Sequence, residues 1–128
     1  MAITAYDIGI LIDGEENIIK IDDNEGYTGW GEIWCNYPTC GAEHRAKLLE
    51  TTFAPLVFKM DINDPKEVFK YLTKSTHTLA IQTAEIGPIA QVISGIDIAI
   101  WDIFAQKQNK PLYQILGGNE AEVPVYAS

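Results

Sequence analysis

The feature that most limits how this 128-residue chain can fold is one apolar run at helical spacing, over residues 87–108. Gly87-Pro88 opens it. Ile89, Val92, Ile93, Ile96, Ile100 and Ile103 then form one stripe, and Ile98, Trp101 and Ala105 mark a second surface. A helix that is apolar on more than one side must be covered on more than one side, so the run belongs in the middle of a domain. Asp97 and Asp102, with the break at Ser94-Gly95, make it too polar to be expected to span a membrane.

What covers this helix is legible earlier in the chain. Ile8, Ile10 and Ile12 alternate with Gly9, Leu11 and Asp13, the period of a strand with one apolar face. Asp13-Gly14 is a turn signal, and Ile18, Ile19 and Ile21 read as a second strand. A second turn follows at residues 23–26, with Gly26 suited to a positive φ, and residues 27–34 make a third strand. Short connections between successive strands imply an antiparallel meander. The remainder reads as helices. Ala46, Leu49 and Phe53 recur at helical spacing, and Pro55 is expected to stop that helix. Asp64 can cap the next, with Pro65 at its first position and Glu67 completing a capping-box pattern; Val68, Phe69 and Leu72 are its apolar face. Pro111 starts a last short helix that Gly117-Gly118 ends. Strands first and helices afterwards predict an α+β domain: a three-stranded antiparallel meander followed by a helical bundle.

Charge narrows the partners. Residues 1–40 carry eight acids (Asp7, Asp13, Glu15, Glu16, Asp22, Asp23, Glu25 and Glu32) against Lys20 alone, most of the net −9 of the whole chain. Such a surface repels nucleic acid and acidic membranes, so neither is expected as a partner. The start shows neither a basic segment nor a long apolar one of the secretory kind, and a cytoplasmic location is the expectation. Cys35 and Cys40 are read as reduced thiols, because with His44 and His77 they complete no zinc spacing.

Two segments carry a resemblance. One is Gly29-Trp30-Gly31-Glu32 at the third strand. The other runs from Ser94 through Gly95, Ile96, Asp97, Ile98, Ala99, Ile100, Trp101 and Asp102 to Ile103, and continues as Pro111-Leu112-Tyr113-Gln114-Ile115-Leu116-Gly117-Gly118. In this order and spacing they resemble the N-terminal capping domain of the mandelate racemase and muconate-lactonising enzymes of the enolase superfamily. The likeness places residues 1–122 in that domain and residues 123–128 at the start of a (β/α) barrel whose remainder is absent from the sequence. Family members usually carry a longer segment between the first two strands, with a loop that closes over substrate; here only residues 13–17 join them.

The resemblance implies proton abstraction next to a carboxylate, as in racemases, acid-sugar dehydratases and cycloisomerases, with Mg²⁺ stabilising the enediolate. Metal ligands and bases then stand at barrel strand ends. This chain alone is expected to have no catalytic residue, no metal ligand and no cofactor of its own. Its expected partners are its own or a separate barrel, a small carboxylate substrate in the full enzyme, and copies of itself, because the long helix offers more apolar surface than its own sheet can cover.

Specificity is what such a domain can supply. The candidate is the loop after the third strand, where Trp34, Cys35, Asn36 and Tyr37 suit a pocket wall, although a plain connection packing on the sheet fits the same residues. Gly29, Gly31, Glu32, Gly95, Asp97 and Asp102 are read as structural. Gly95 would permit close helix approach, and Glu32 would accept structural hydrogen bonds. Asp97 and Asp102 stand roughly 140° apart on a helix, so they would bond separate donors rather than form a dyad. His44 reads as a surface residue. The rival readings are a stand-alone oligomerising domain and a small-ligand binding module.

Overall fold

The computed structural model describes residues 1–10, 16–120 and 122–127, and the side chains of residues 8–10 and 16 are not among them. Three antiparallel strands, β1 (Ile3–Ile10), β2 (Glu16–Asp23) and β3 (Thr28–Trp34), make a meander in the order β1-β2-β3. Ile8 faces Ile19 across the first pair, and Ile19 faces Gly31 across the second. The expected Asp13-Gly14 turn, with Leu11 and Ile12, lies outside the described residues.

The second turn forms as expected. Gly26 takes φ +90°, and the buried Asp23 carboxylate closes the turn by accepting from the N–H groups of Glu25 (2.9 Å) and Tyr27 (2.8 Å). Lys107 reaches across from the far end of the long helix to pair with Asp23 at 2.8 Å and Glu25 at 2.7 Å. Burial alone would raise the Asp23 pKa. The hydrogen bonds from Lys107, Tyr27 and Glu25 outweigh it and hold the carboxyl below its ordinary value.

Among the described residues five α-helices follow: α1 (Gly41–Leu48), α2 (Ala54–Val57), α3 (Pro65–Thr83), α4 (Ile86–Lys107) and α5 (Leu112–Ile115). Pro55 does not stop the first of them. Between α1 and α2 the chain passes through a π-helical turn, Leu49–Phe53, in which the Ala54 N–H bonds the Leu49 carbonyl five residues back. The wider turn delivers Pro55 to the start of α2, where a missing N–H costs little. The helix therefore bends past the proline and ends at Phe58. Asp64 caps α3 as its sequence suggests, accepting from the Lys66 N–H at 3.0 Å. Glu67 turns to Lys70, at 3.9 Å, rather than back to the cap.

α4 runs along the inner face of the sheet, chiefly against β3, with α3 on its other flank. Ile89, Val92, Ile93, Ile96, Ile100 and Ile103 are all buried, together with Ile19, Ile21, Ile33, Leu49, Phe53, Val68 and Leu72. The second surface is divided: Ala105 is buried, Trp101 half-buried and Ile98 exposed. By length and mean hydropathy α4 could cross a membrane in spite of its two aspartates, and half of its most apolar window is buried inside this fold.

The approach of α4 to β3 is set by small residues. Gly29 and Gly31 lie on the inward face of β3, and a Cβ on either would collide with the α4 backbone at the carbonyls of Ala99 and Gly95 respectively. A Cβ on Gly95 would meet the Ile33 side chain and stand 3.0 Å from the Glu32 carbonyl. Gly87, in the first turn of the same helix, faces open space. One substitution should therefore have opposite effects at two sites of α4. Gly95→Ala should lose about 3 kcal/mol or more from backbone overpacking, whereas Gly87→Ala should gain up to about 1 kcal/mol from helix propensity. Urea unfolding of the two variants checks this, and equal shifts would contradict the close crossing.

Candidate functional site

β3 ends at Trp34, opposite Glu16 in the register, so residues 35–40 leave the sheet at the same end as the β1–β2 connection. The loop returns to α1 through a 2.6 Å hydrogen bond from the Gly41 N–H to the Pro38 carbonyl, and the Tyr37-Pro38 peptide is cis. Gly41 packs directly on the Cys35 carbonyl, leaving no room for a side chain there. The four loop candidates then part company. Trp34 and Tyr37 project into solvent, Tyr37 with 77% of its surface exposed. Asn36 is half-buried, and its Oδ1 is enclosed without a hydrogen-bond partner. Cys35 is fully buried and cannot form part of a pocket wall, because strand alternation turns it inward with Ile33 and Gly31.

Beneath the loop lies a polar cluster that sequence reasoning missed. Arg45, in α1, is 3% exposed. Its Nε and Nη2 donate to the Gln91 Oε1 of α4 at 3.0 and 2.9 Å, and Nη2 also donates to the Tyr37 carbonyl at 3.2 Å. His44 is not a free surface residue. Its Nδ1 faces Arg45 Nη1 at 3.3 Å, and its Nε2 lies 2.9 Å from Glu85 at the start of α4. A signal was available: Arg45 stands three residues after Ala42 and four before Leu49, on the inward face of its helix. Nearby, the Asn17 amide is wholly buried and donates to the Ala42 carbonyl at 2.8 Å.

The residues of the two sequence motifs lie elsewhere. Gly29, Gly31 and Gly95 form the crossing described above. Asp102 accepts from the Trp30 N–H at 2.9 Å, tying α4 to β3 across 72 residues of sequence. Glu32 does not take the structural hydrogen bonds expected of it: it stands on the exposed face of the sheet between Trp30 and Trp34, without a hydrogen bond to the described residues. Alternation forces this, since the glycines on either side must point at α4. Asp97 keeps one carboxylate oxygen enclosed without a partner, and burial raises its pKa.

The geometry offers exposed aromatic faces on a backbone anchored from below. Of the two thiols in this segment, that of Cys35 is enclosed and that of Cys40 is exposed.

An α+β domain with a meander closed on a long central helix is the architecture of the enolase-type N-terminal capping domain. The family described as mandelate racemase / muconate lactonizing enzyme, N-terminal domain, matches residues 13–117, and the chain belongs to it. A mandelate racemase/muconate lactonizing enzyme from Bordetella bronchiseptica RB50 is 41% identical, with a TM-score of 0.86 over 92% of this chain and 34% of that one. The arabinonate dehydratase of Saccharolobus solfataricus is 31% identical over 108 residues, which are 84% of this chain and 27% of that protein. A racemase from Streptomyces coelicolor A3(2) with bound magnesium shares the fold, at 21% identity and TM-score 0.77, over 92% of this chain and 34% of that one. Other relatives are a D-mannonate dehydratase and a 3,6-anhydro-alpha-L-galactonate cycloisomerase. The chain thus spans about a third or less of the proteins it matches.

Asp97 gives a pH test of its environment. Its folded pKa lies above the ordinary 3.8, so ionisation opposes folding, and its contribution falls as pH rises from 3.8 through the raised value. Asp97→Asn should be more stable than the parent at pH 7 and should lose that advantage below pH 3.8. Thermal unfolding across pH measures the difference; a constant offset would contradict the assignment.

Proposed function

We propose that this domain is the specificity-setting cap of a Mg²⁺-dependent enolase-superfamily enzyme that removes the proton alpha to a carboxylate. The reaction is of the racemase, acid-sugar dehydratase or cycloisomerase type. Trp34 and Tyr37 carry the reading: both are exposed at a sheet-end loop whose backbone is anchored to α1 and α4. Aromatics so placed can exclude water and contact the non-reacting part of a small carboxylate substrate. The names of the relatives, arabinonate dehydratase among them, support sugar acids as the substrate class.

The chemistry is assigned to a barrel domain, and residues 123–128 to the beginning of its first strand. Val123 and Val125 support that assignment, since they alternate and are 74% and 90% exposed here, as an uncovered strand would be. Among the described residues no three His, Cys, Asp or Glu side chains converge to hold a metal ion. These residues do not fit Mg²⁺. On this reading the isolated chain is not a catalyst, and the full enzyme works in the cytoplasm.

In an enzyme that joins this domain to its barrel, Tyr37→Ala should lower kcat/KM for an acid-sugar substrate by about tenfold, a loss of about 1.4 kcal/mol in transition-state binding. The urea midpoint should stay unchanged. A sharp fall in the midpoint with unaltered kinetics would assign Tyr37 to the core and reject the reading.

A second reading, a stand-alone oligomerising domain, draws on a different surface. Phe69, Ile81 and Ile86, at 49%, 58% and 65% exposure, line an apolar groove of about 240 Å³ between α3 and α4. Exposed apolar surface of this kind favours self-association. Light scattering over a concentration series should show masses above 14.2 kDa as concentration rises. A constant monomer mass would remove self-association as a role for the isolated chain.

A further inference from the structure

Arg45 is a buried cation, and among the described residues no carboxylate pairs with it. Neutral acceptors satisfy it instead: the Gln91 amide oxygen takes two of its hydrogens, the Tyr37 carbonyl one, and His44 Nδ1 faces a fourth. With Nδ1 turned to a guanidinium, His44 carries its proton on Nε2, directed at Glu85. Enclosing an unpaired charge is costly, and an apolar side chain would fill the same volume at less cost. The arrangement therefore needs a reason beyond packing, and its geometry supplies one. The guanidinium joins three pieces of chain: α1, which carries it; α4, through Gln91; and the loop, through the backbone of Tyr37, whose side chain is exposed. Its planar fork donates to Gln91 and the Tyr37 carbonyl from two separate nitrogens, a fixed geometry that the single nitrogen of a lysine does not reproduce.

We propose that Arg45, oriented by Gln91, is a positioning residue that presets the backbone of residues 35–40. Its consequence for catalysis rests on the reading of that loop as substrate-facing. A loop fixed from below loses little further entropy when a ligand settles on Trp34 and Tyr37, so ordering is complete before binding. Gly41 completes the device: its N–H holds the Pro38 carbonyl, and its bare Cα lets α1 sit against Cys35.

Backbone ¹⁵N order parameters on the 128-residue chain test this directly. In the parent, residues 36–41 should approach about 0.85, the rigid-backbone value, leaving out Pro38, which has no N–H. In Arg45→Lys and in Gln91→Ala they should fall below about 0.6, with β3 and the middle of α4 unchanged. Gln91→Glu, which keeps an acceptor at the same place, should leave the loop rigid. If Arg45→Lys does not fold, Gln91→Ala carries the test alone. A loop already mobile in the parent, a loop that stays rigid in Gln91→Ala, or loosening spread equally through the domain would each overturn the proposal. The same variants in a barrel-containing enzyme separate it from the functional reading. Loop release accompanied by a rise in KM of tenfold or more, with kcat nearly kept, supports both. Loop release with KM and kcat untouched supports the positioning role and rejects the substrate-facing loop.

Discussion

Everything in this domain is arranged around the close crossing of α4 over β3. Two glycines on the strand and one on the helix remove the side chains that would hold the two backbones apart. Once the backbones meet, the isoleucines of α4 reach past the strand into the layer formed by β2, α1 and the π-helical turn, and the core closes. Asp102, bonded to the Trp30 N–H, pins one end of this contact, and the Lys107 clamp on Asp23 and Glu25 pins the β2–β3 turn to the end of the helix. The same alternation that points Gly29, Gly31 and Ile33 inward points Trp30, Glu32 and Trp34 outward, so the outer face of β3 follows from its inner one.

That geometry also decides where function can lie. The inner face of the sheet is filled, and the Cys35 thiol is enclosed within it. Open surface remains at the end of the sheet where the loop after β3 leaves, and in the groove between α3 and α4. On the reading proposed above, this member of the mandelate racemase / muconate lactonizing enzyme family contributes shape and exclusion of water, and a barrel supplies the reacting groups. The Arg45 cluster suits the same division of labour. A buried charge is a poor way to stabilise a fold, but it can hold a backbone in one position.

The three-stranded meander, the capped α3, the long central helix and the family can be read from the sequence, although β1 begins at Ile3, well before the alternation of Ile8, Ile10 and Ile12. Each is written in local signals or in nearby residues: the alternation of isoleucines, the Asp-Pro start of α3, and the run around Gly95 and Asp102. Local signals also misled. Pro55 forbids an α-helical hydrogen bond, but not a helix that widens for one turn, and the widened helix carries both Phe53 and Val57 into the core. The glycines beside Glu32 suggest structural hydrogen bonds for it, yet those glycines are the reason it faces outward. Which loop side chains are presented, and what holds them, follows from the packing of distant elements. Trp34 and Cys35 are adjacent in sequence and end on opposite faces. Arg45 and Gln91, 46 residues apart, meet only because α1 and α4 pack side by side. Composition and periodicity record the free energy of burying a face; they carry no record of which distant polar group arrives opposite a buried charge, because that partner is chosen by the packing itself.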